Sequence, residues 1–374
     1  MEANTLLKLL FLSSIFGWGC QTQTKPTTNM TFYIGTYTQQ EGHVDGKGDG
    51  IYRMTFDPAT LELRITDTIR GMTNPSFLAL SADRTILYAV NEISPGRFEA
   101  YDLRADAFGQ RRGAVATGAD AACHISLDKN AQLAVVCNYV GGVVCVVPLP
   151  MTDQTVPQLI QLSDVQKASP RQEASHPHSS VFSPDGNFVY VADLGTDLVM
   201  IYRYDRTQQK LVPAETPFFG MPEGSGPRHM AFAADGKLLY VLNELNNTVA
   251  VMQVAENGSL QQRQLLPTLP TAFSGANTTA DIHLSKDGRA LYASNRGHNS
   301  IAVFRVDGAG ALQTIGHVDT HGKTPRNFHL THDGQWLFVS NQDTDTVVLY
   351  DLRKGDLPVF VKSIAVNTPV CMVE

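Results

Sequence analysis

The sequence predicts an all-β fold, a seven-bladed β-propeller with four antiparallel strands per blade. Three observations carry this. One hairpin signature recurs six times, further apolar strands follow each copy at the spacing of a blade, and the two chain ends supply complementary parts of one more blade. The signature is plainest in Gly226-Pro-Arg-His-Met-Ala-Phe232, followed by Ala234-Asp-Gly-Lys237 and Leu238-Leu-Tyr-Val-Leu-Asn-Glu244. Asp-Gly between two apolar runs marks a hairpin turn. A hairpin sets the start of its first strand beside the end of its second. Arg228 and Glu244 are therefore expected on one rim.

The turn recurs as Ser81-Ala-Asp-Arg84, Leu127-Asp-Lys-Asn130, Ser183-Pro-Asp-Gly186, Ala233-Ala-Asp-Gly236, Ser285-Lys-Asp-Gly288 and Thr331-His-Asp-Gly334. Its aspartates, at 83, 128, 185, 235, 287 and 333, stand 45, 57, 50, 52 and 46 residues apart. Four strands in roughly 40–50 residues is a propeller period. The 57-residue step is assigned to a long connection over residues 150–175. At the N-terminus, residues 31–38, 50–56 and 62–70 match strands two to four of a blade that lacks its first. Residues 369–374 match a first strand with nothing after it. Joining them closes the ring and removes open sheet edges. Residues 42–50 (His43, Asp45, Lys47 and Asp49 among glycines) read as a loop near the site or, more simply, as a solvated excursion.

A chain of 374 residues could hold two or three domains. The repeat argues for one ring, because no blade buries its faces alone. The 19 prolines and 30 glycines suit many short connections. A net charge of −7 and the lack of a basic run argue against nucleic acid or an anionic membrane as partner. The expected organisation is a leader over 1–20, a linker over 21–29 and the propeller over 30–374. Residues 6–18 are mostly apolar and precede Gly19-Cys20, the pattern of a lipoprotein signal with Cys20 lipidated. Gly17 stands where Leu is usual, and Glu2 weakens the positive start. Export is expected, with membrane contact only through a lipid on Cys20, since the stretch is too short to span. A misread leader would leave the protein cytoplasmic. Cys137 and Cys145 flank a turn on neighbouring strands. They read as a bridge or, more simply, as small buried hydrophobes. No Cys-x-x-Cys and no His/Cys spacing point to zinc. No metal or cofactor is expected, and the oligomeric state is open.

First strands line the central channel of a propeller. The residues at first-strand starts and second-strand ends are His124, Asn138, His178, Asp193, Arg228, His229, Asn243, Glu244, His283, Asn295, Arg296, Arg326, Asn327 and Asn341. They form a polar ring around one mouth. The repeated Asn reads as a turn residue that bonds nearby backbone. Three Arg, a Glu and a His exceed what turns require.

These motifs resemble the seven-bladed lactonase family, which includes the propeller-type 6-phosphogluconolactonases and the fungal carboxy-muconate cyclising enzymes. The resemblance rests, in order, on Tyr33-Ile-Gly-Thr-Tyr-Thr38, Gly50-Ile-Tyr52, Asn74-Pro-Ser-Phe-Leu78, Leu87-Tyr-Ala-Val-Asn-Glu92, Asn138-Tyr-Val-Gly-Gly142, His176-Pro-His-Ser180, Gly226-Pro-Arg-His229, Tyr240-Val-Leu-Asn-Glu244 and Ser294-Asn-Arg-Gly297. It implies hydrolysis of a sugar-derived, anionic lactone, with His178, Arg228, Glu244 and Arg296 catalytic. Cys123 stands where the family commonly has Pro. Arg326, His229, Asn327 and His124 are expected around the substrate. Glu244 or His178 would be the general base, and Arg228 would face the oxyanion. Arg296 and Arg326 offer planar forks for phosphate or carboxylate. A cycloisomerase and a non-catalytic binding propeller remain open alternatives, because fold does not fix function.

Overall fold

The computed structural model describes residues 1, 29–42, 44–163 and 169–374. Residues 2–20 of the leader, Cys20 among them, residues 21–28 of the linker and His43 lie outside the described residues. Among the described residues, no helix is long and apolar enough to cross a membrane.

Seven four-stranded antiparallel sheets succeed one another along the chain: blade one over 30–69 with the closing strand 369–373, blade two over 77–116, blade three over 120–161, blade four over 177–220, blade five over 227–267, blade six over 278–319 and blade seven over 325–365. The strands of blade five are Pro227–Phe232, Leu238–Asn243, Thr248–Val254 and Leu260–Pro267. Blade one is made as the chain ends predicted. Pro369–Val373 pairs with Met30–Thr36, and Ile51–Asp57 and Glu62–Ile69 follow outward. Each innermost strand packs against the next around the channel, and the closing strand contacts both blade seven and blade two.

Burial explains the sequence pattern. Blades pack face to face, so middle strands are covered on both sides and read as unbroken apolar runs, such as Leu238–Asn243. Outer strands keep one face in water and alternate, as in Leu260–Pro267. The core is divided into wedges between neighbouring blades. One wedge, for example, joins Tyr240 and Leu242 of blade five to Leu291 and Phe304 of blade six. Cys137 and Cys145 belong to different wedges, on opposite faces of blade three. The register explains it, because Cys145 pairs with Val136, one residue from Cys137. Both thiols are free and buried.

The recurring turn is a four-residue loop. Ala233 N–H bonds the Leu238 carbonyl and Gly236 N–H bonds the Ala233 carbonyl. Gly236 has φ +73°, a left-handed conformation that glycine adopts without penalty. Arg84 and Ala131 occupy the same place at φ 57° and 50°. Blade three corrects the sequence alignment. The turn runs from Asp128 to Ala131, so Asp128 takes the part of Ser183 and Asn130 that of Asp185. Asp128 Oδ1 accepts from Leu133 N at 2.6 Å, as Ser183 Oγ accepts from Phe188 N. Residues 150–175 are likewise more than a connection, since Gln158–Gln161 is the outer strand of blade three.

The mouth ends of the first strands are less regular. In blades three to seven the ladder slips near the mouth end of the first strand. The residues inside these bulges are Cys123, His178, Arg228, the pair Ala280-Asp281, and Arg326. A bulge leaves a residue outside the ladder and re-aims its side chain.

Candidate active site

Glu244 stands at the centre of the mouth. It follows Asn243, the last residue of its strand, and its N–H bonds the Gly226 carbonyl. Arg228, from the facing bulge, donates through Nε to Glu244 Oε2 at 2.9 Å and through Nη1 to the Ala280 carbonyl. Arg296, at the end of the second strand of blade six, lies 3.1 Å from the same Oε2 and donates to the Thr279 carbonyl at 2.8 Å. The sequence reading had placed these three on one rim. It missed Arg171, on the connection between blades three and four. Arg171 Nη2 donates to Glu244 Oε1 at 2.8 Å, and the same guanidinium bonds the Tyr139 hydroxyl. Arg228 and Glu244 are each 2 % exposed, whereas the Arg171 side chain is about half exposed at 48 %.

Burial works to raise the Glu244 carboxyl. The charges of Arg296, Arg228 and Arg171 outweigh it and hold the pKa at about 2. Burial and the neighbouring Arg296 charge push Arg228 down to about 9, so it stays charged at neutral pH. The carboxylate is thus ionised and gripped on both oxygens.

Arg326 forms a second cationic post. Its guanidinium lies over the Tyr37 ring, 5.3 Å from the centroid, and 3.9 Å from Glu92 Oε1. Tyr37 donates its hydroxyl to Glu92 Oε2 at 2.8 Å. The charge of Arg326 reaches both Arg228 and Arg296 and lowers the pKa of each. Glu92 and Tyr139 were missed as site groups, although a signal existed. Each follows the Asn at or near the end of its second strand, as Glu244 and Arg296 do.

Three imidazoles lie side by side beneath these charges. The ring centroids of His178 and His229 are 5.4 Å apart, and those of His124 and His229 5.3 Å. Burial lowers the pKa of His178 well below the usual value, helped by the charges of Arg228, His229 and Arg326. Burial also lowers His124. It brings His229 to about 4, with Arg228 adding to the shift. All three are neutral at pH 7. Buried polar atoms without a partner include His178 Nδ1, His229 Nε2 and Arg296 Nε. Unpaired polar atoms are costly in an interior, and groups left so at a mouth are available to a ligand.

The deeper residues are held by Asp281, the bulge residue of blade six. Its carboxylate accepts from His229 Nδ1 at 2.8 Å, His283 Nε2 at 3.0 Å and Asn327 Nδ2 at 2.6 Å. Asn327 Oδ1 in turn accepts from Met372 N of the closing strand. The Asn327 amide is therefore engaged at both ends. His124, His229, Asp281, His283 and Asn327 line a channel cavity of about 390 Å³ below the arginine cluster. The strand-end asparagines tie blades together. Asn138, Asn295 and Asn341 donate to the carbonyls of Thr117, Thr268 and Thr320 in the preceding connections.

Four guanidiniums around two carboxylates make an environment for an anion. Comparison with known proteins points the same way. The family model described as "Lactonase, 7-bladed beta-propeller" matches residues 31–374. The 6-phosphogluconolactonase of Bacillus subtilis (strain 168) is 30% identical over 348 residues, which cover 91% of this chain and 97% of that protein. A Formosa agariphila protein named 6-phosphogluconolactonase is 29% identical over 350 residues, covering 90% and 96%. Among solved structures, the periplasmic gluconolactonase PpgL of Pseudomonas aeruginosa superposes with a TM-score of 0.83 at 31% identity. That match covers 92% of this chain and 99% of PpgL.

Proposed function

The chain belongs to the 7-bladed β-propeller lactonase family and is a lactone hydrolase, and from that premise we propose that it opens an anionic sugar lactone with His178 as general base. The observation that carries the proposal is the grip on Glu244. A carboxylate held at about 2 by three guanidiniums is a weak proton acceptor and a strong positioner. Glu244 fixes Arg228 and Arg296, while His178 keeps a neutral ring with an unpartnered Nδ1.

In the reaction, His178 takes a proton from water as the water oxygen attacks the lactone carbonyl carbon. The carbonyl π pair moves to oxygen, and the oxyanion faces Arg228 and Arg296. On collapse the bond between the acyl carbon and the ring oxygen breaks. The ring oxygen takes the proton from His178, releasing a hydroxy acid and restoring the neutral imidazole. Arg326 and Arg171 bind the anionic group of the substrate. Four guanidiniums against Glu244 and Glu92 leave an excess of positive charge that favours phosphate or carboxylate. Asn327, committed to Asp281 and the closing strand, supports the site without touching substrate.

Release of acid from a panel of phosphorylated, carboxylated and uncharged sugar lactones, followed by pH-stat, tests this reading. The expected order of kcat/KM places anionic lactones first. Equal turnover of uncharged lactones would contradict the charge argument.

We also propose export, with Cys20 as lipid anchor. The leader-like sequence of residues 1–20 and the similarity to a periplasmic gluconolactonase support it. Fractionation of the wild type and of Cys20→Ser tests this. Release of the variant from the membrane fraction is expected, and identical cytoplasmic recovery of both would refute it.

A further inference from the structure

The face opposite the mouth carries a cluster that the lactonase chemistry does not use. His329 is the next-to-last residue of the first strand of blade seven, His332 lies in the turn after it, and Glu374 follows the closing strand. Their ligand atoms all lie within 4.8 Å of one another. Glu374 Oε2 is 2.8 Å from His332 Nδ1 and 3.4 Å from His329 Nε2. We propose that these three side chains form a binding site for a zinc-like transition-metal dication, which staples the closing strand to blade seven.

The chemistry selects the class of ion. Two imidazoles and one carboxylate are a zinc donor set, with further positions open to water. Imidazole donors favour zinc, copper and nickel over magnesium and calcium, which take oxygen. Metal–donor bonds of about 2.0–2.1 Å put tetrahedral donors about 3.4 Å apart. Glu374 Oε2 already stands 3.4 Å from His329 Nε2 and 2.8 Å from His332 Nδ1. The ion replaces the hydrogen that Glu374 shares with each ring, and each imidazole then carries its N–H on the other nitrogen.

The surroundings hold the ligands in place. His329 is packed edge-on against Phe32, with ring centroids 5.8 Å apart. Glu374 Oε2 also accepts the His332 backbone N–H at 2.7 Å. His332 is exposed, which gives an ion access from solvent. One group opposes binding. Arg84 Nη2 lies 3.4 Å from both ring nitrogens of His332, and its charge repels a cation. Replacing Arg84 with glycine removes that charge at a turn position already in the left-handed region.

The fold supplies the consequence. The closing strand joins the last residues of the chain to the first blade, and the ring is intact only while that strand stays docked. A ligand at free concentration L that binds only the folded ring stabilises it by RT ln(1 + L/Kd), which keeps rising with ligand concentration beyond saturation. The test uses the tag-free full chain, stripped with chelator and titrated with Zn²⁺ by calorimetry and thermal unfolding. One Zn²⁺ per chain and a Tm that rises with Zn²⁺ are expected, with no rise from Mg²⁺. His332→Ala and the near-isosteric Glu374→Gln each weaken binding by at least about tenfold, and Arg84→Gly tightens it. Lactone turnover stays within about twofold of wild type in all three, because the cluster lies away from the mouth. No zinc binding, or zinc binding and a Tm shift that persist in both ligand variants, overturns the site.

Discussion

The two ends of the innermost hairpins are built on different principles. At the turn end, four of the six signature loops place Gly in the left-handed position, at Gly186, Gly236, Gly288 and Gly334. The pattern there is nearly a repeat, and it serves the chain itself. At the mouth end the corresponding residues differ from blade to blade: Cys123, His178, Arg228, Asp281 and Arg326. Bulges lift them from the ladder, and their neighbours at the second-strand ends are as varied, with Glu92, Tyr139, Glu244 and Arg296. Repetition marks what every blade needs, and departure from it marks what the ring does once. Variants at the mouth should therefore remove activity, while variants at the turns should change stability alone.

The largest effects are expected at the centre of the mouth. Arg228→Ala and Glu244→Gln should each lower kcat/KM by about 10²-fold or more, measured on the preferred lactone. Activity within tenfold of wild type would refute their roles. Glu244→Gln should also destabilise the ring by about 3 kcal/mol in urea unfolding, because it leaves buried guanidiniums without their counter-ion. His178→Asn should lower kcat by about 10²–10⁴-fold with little change in KM.

The pH dependence sharpens the contrast. His124, His178 and His229 have pKa values below their ordinary range in the fold. The unfolded chain then binds more protons than the native state below about pH 6.5. Their contribution to stability is full above that pH and is lost on acidification, for His229 down to about pH 4. Glu244 adds stability that is complete above its unfolded value and lost as pH falls towards about 2. Urea midpoints should stay level from pH 8 to about 6.5 and fall from there towards pH 4, and a profile that stays flat throughout would contradict the neutral imidazole cluster.

Smaller effects lie outward. Arg171 is half exposed and reaches the site from an irregular connection. Arg171→Ala should raise KM for an anionic lactone by about tenfold, the loss of one charge-assisted bond, and leave kcat within about threefold. At the turn end, Gly236→Ala should cost about 1 kcal/mol with unchanged kcat/KM. A Cβ there meets Pro184 only at ordinary contact distance, 3.4 Å, so the cost is conformational. Ala131→Gly should be neutral or slightly stabilising, the opposite sign at the matching place.

Legibility in the sequence follows the same division. Periodic features were readable: the hairpins, the closure by residues 369–374, and the shared rim of Arg228 and Glu244 all follow from strand pairing. The turn of blade three was misaligned because Asp128 imitates Ser183 in bonding its loop, which the letter alone does not reveal. Bulges were not readable, since one extra residue leaves a short apolar run unchanged. Arg171 was hidden because no period links it to the blades, although it lies in the one connection that lengthens the repeat. Asp281 was passed over beside His283, and its importance appears only when three side-chain donors converge on one carboxylate.

The claim that Glu244 positions arginines while His178 moves the proton is tested most directly by the pH profile of kcat/KM for Glu244→Gln. The profile should be followed as far into acid as the protein stays folded. Glu244 is not among the groups that shift His178 most. The variant is predicted to keep the acid limb of the wild type at the same pH, with the whole curve lowered by about 10²-fold. Disappearance of that limb in the variant would show that Glu244 is itself the titrating base and would contradict the account.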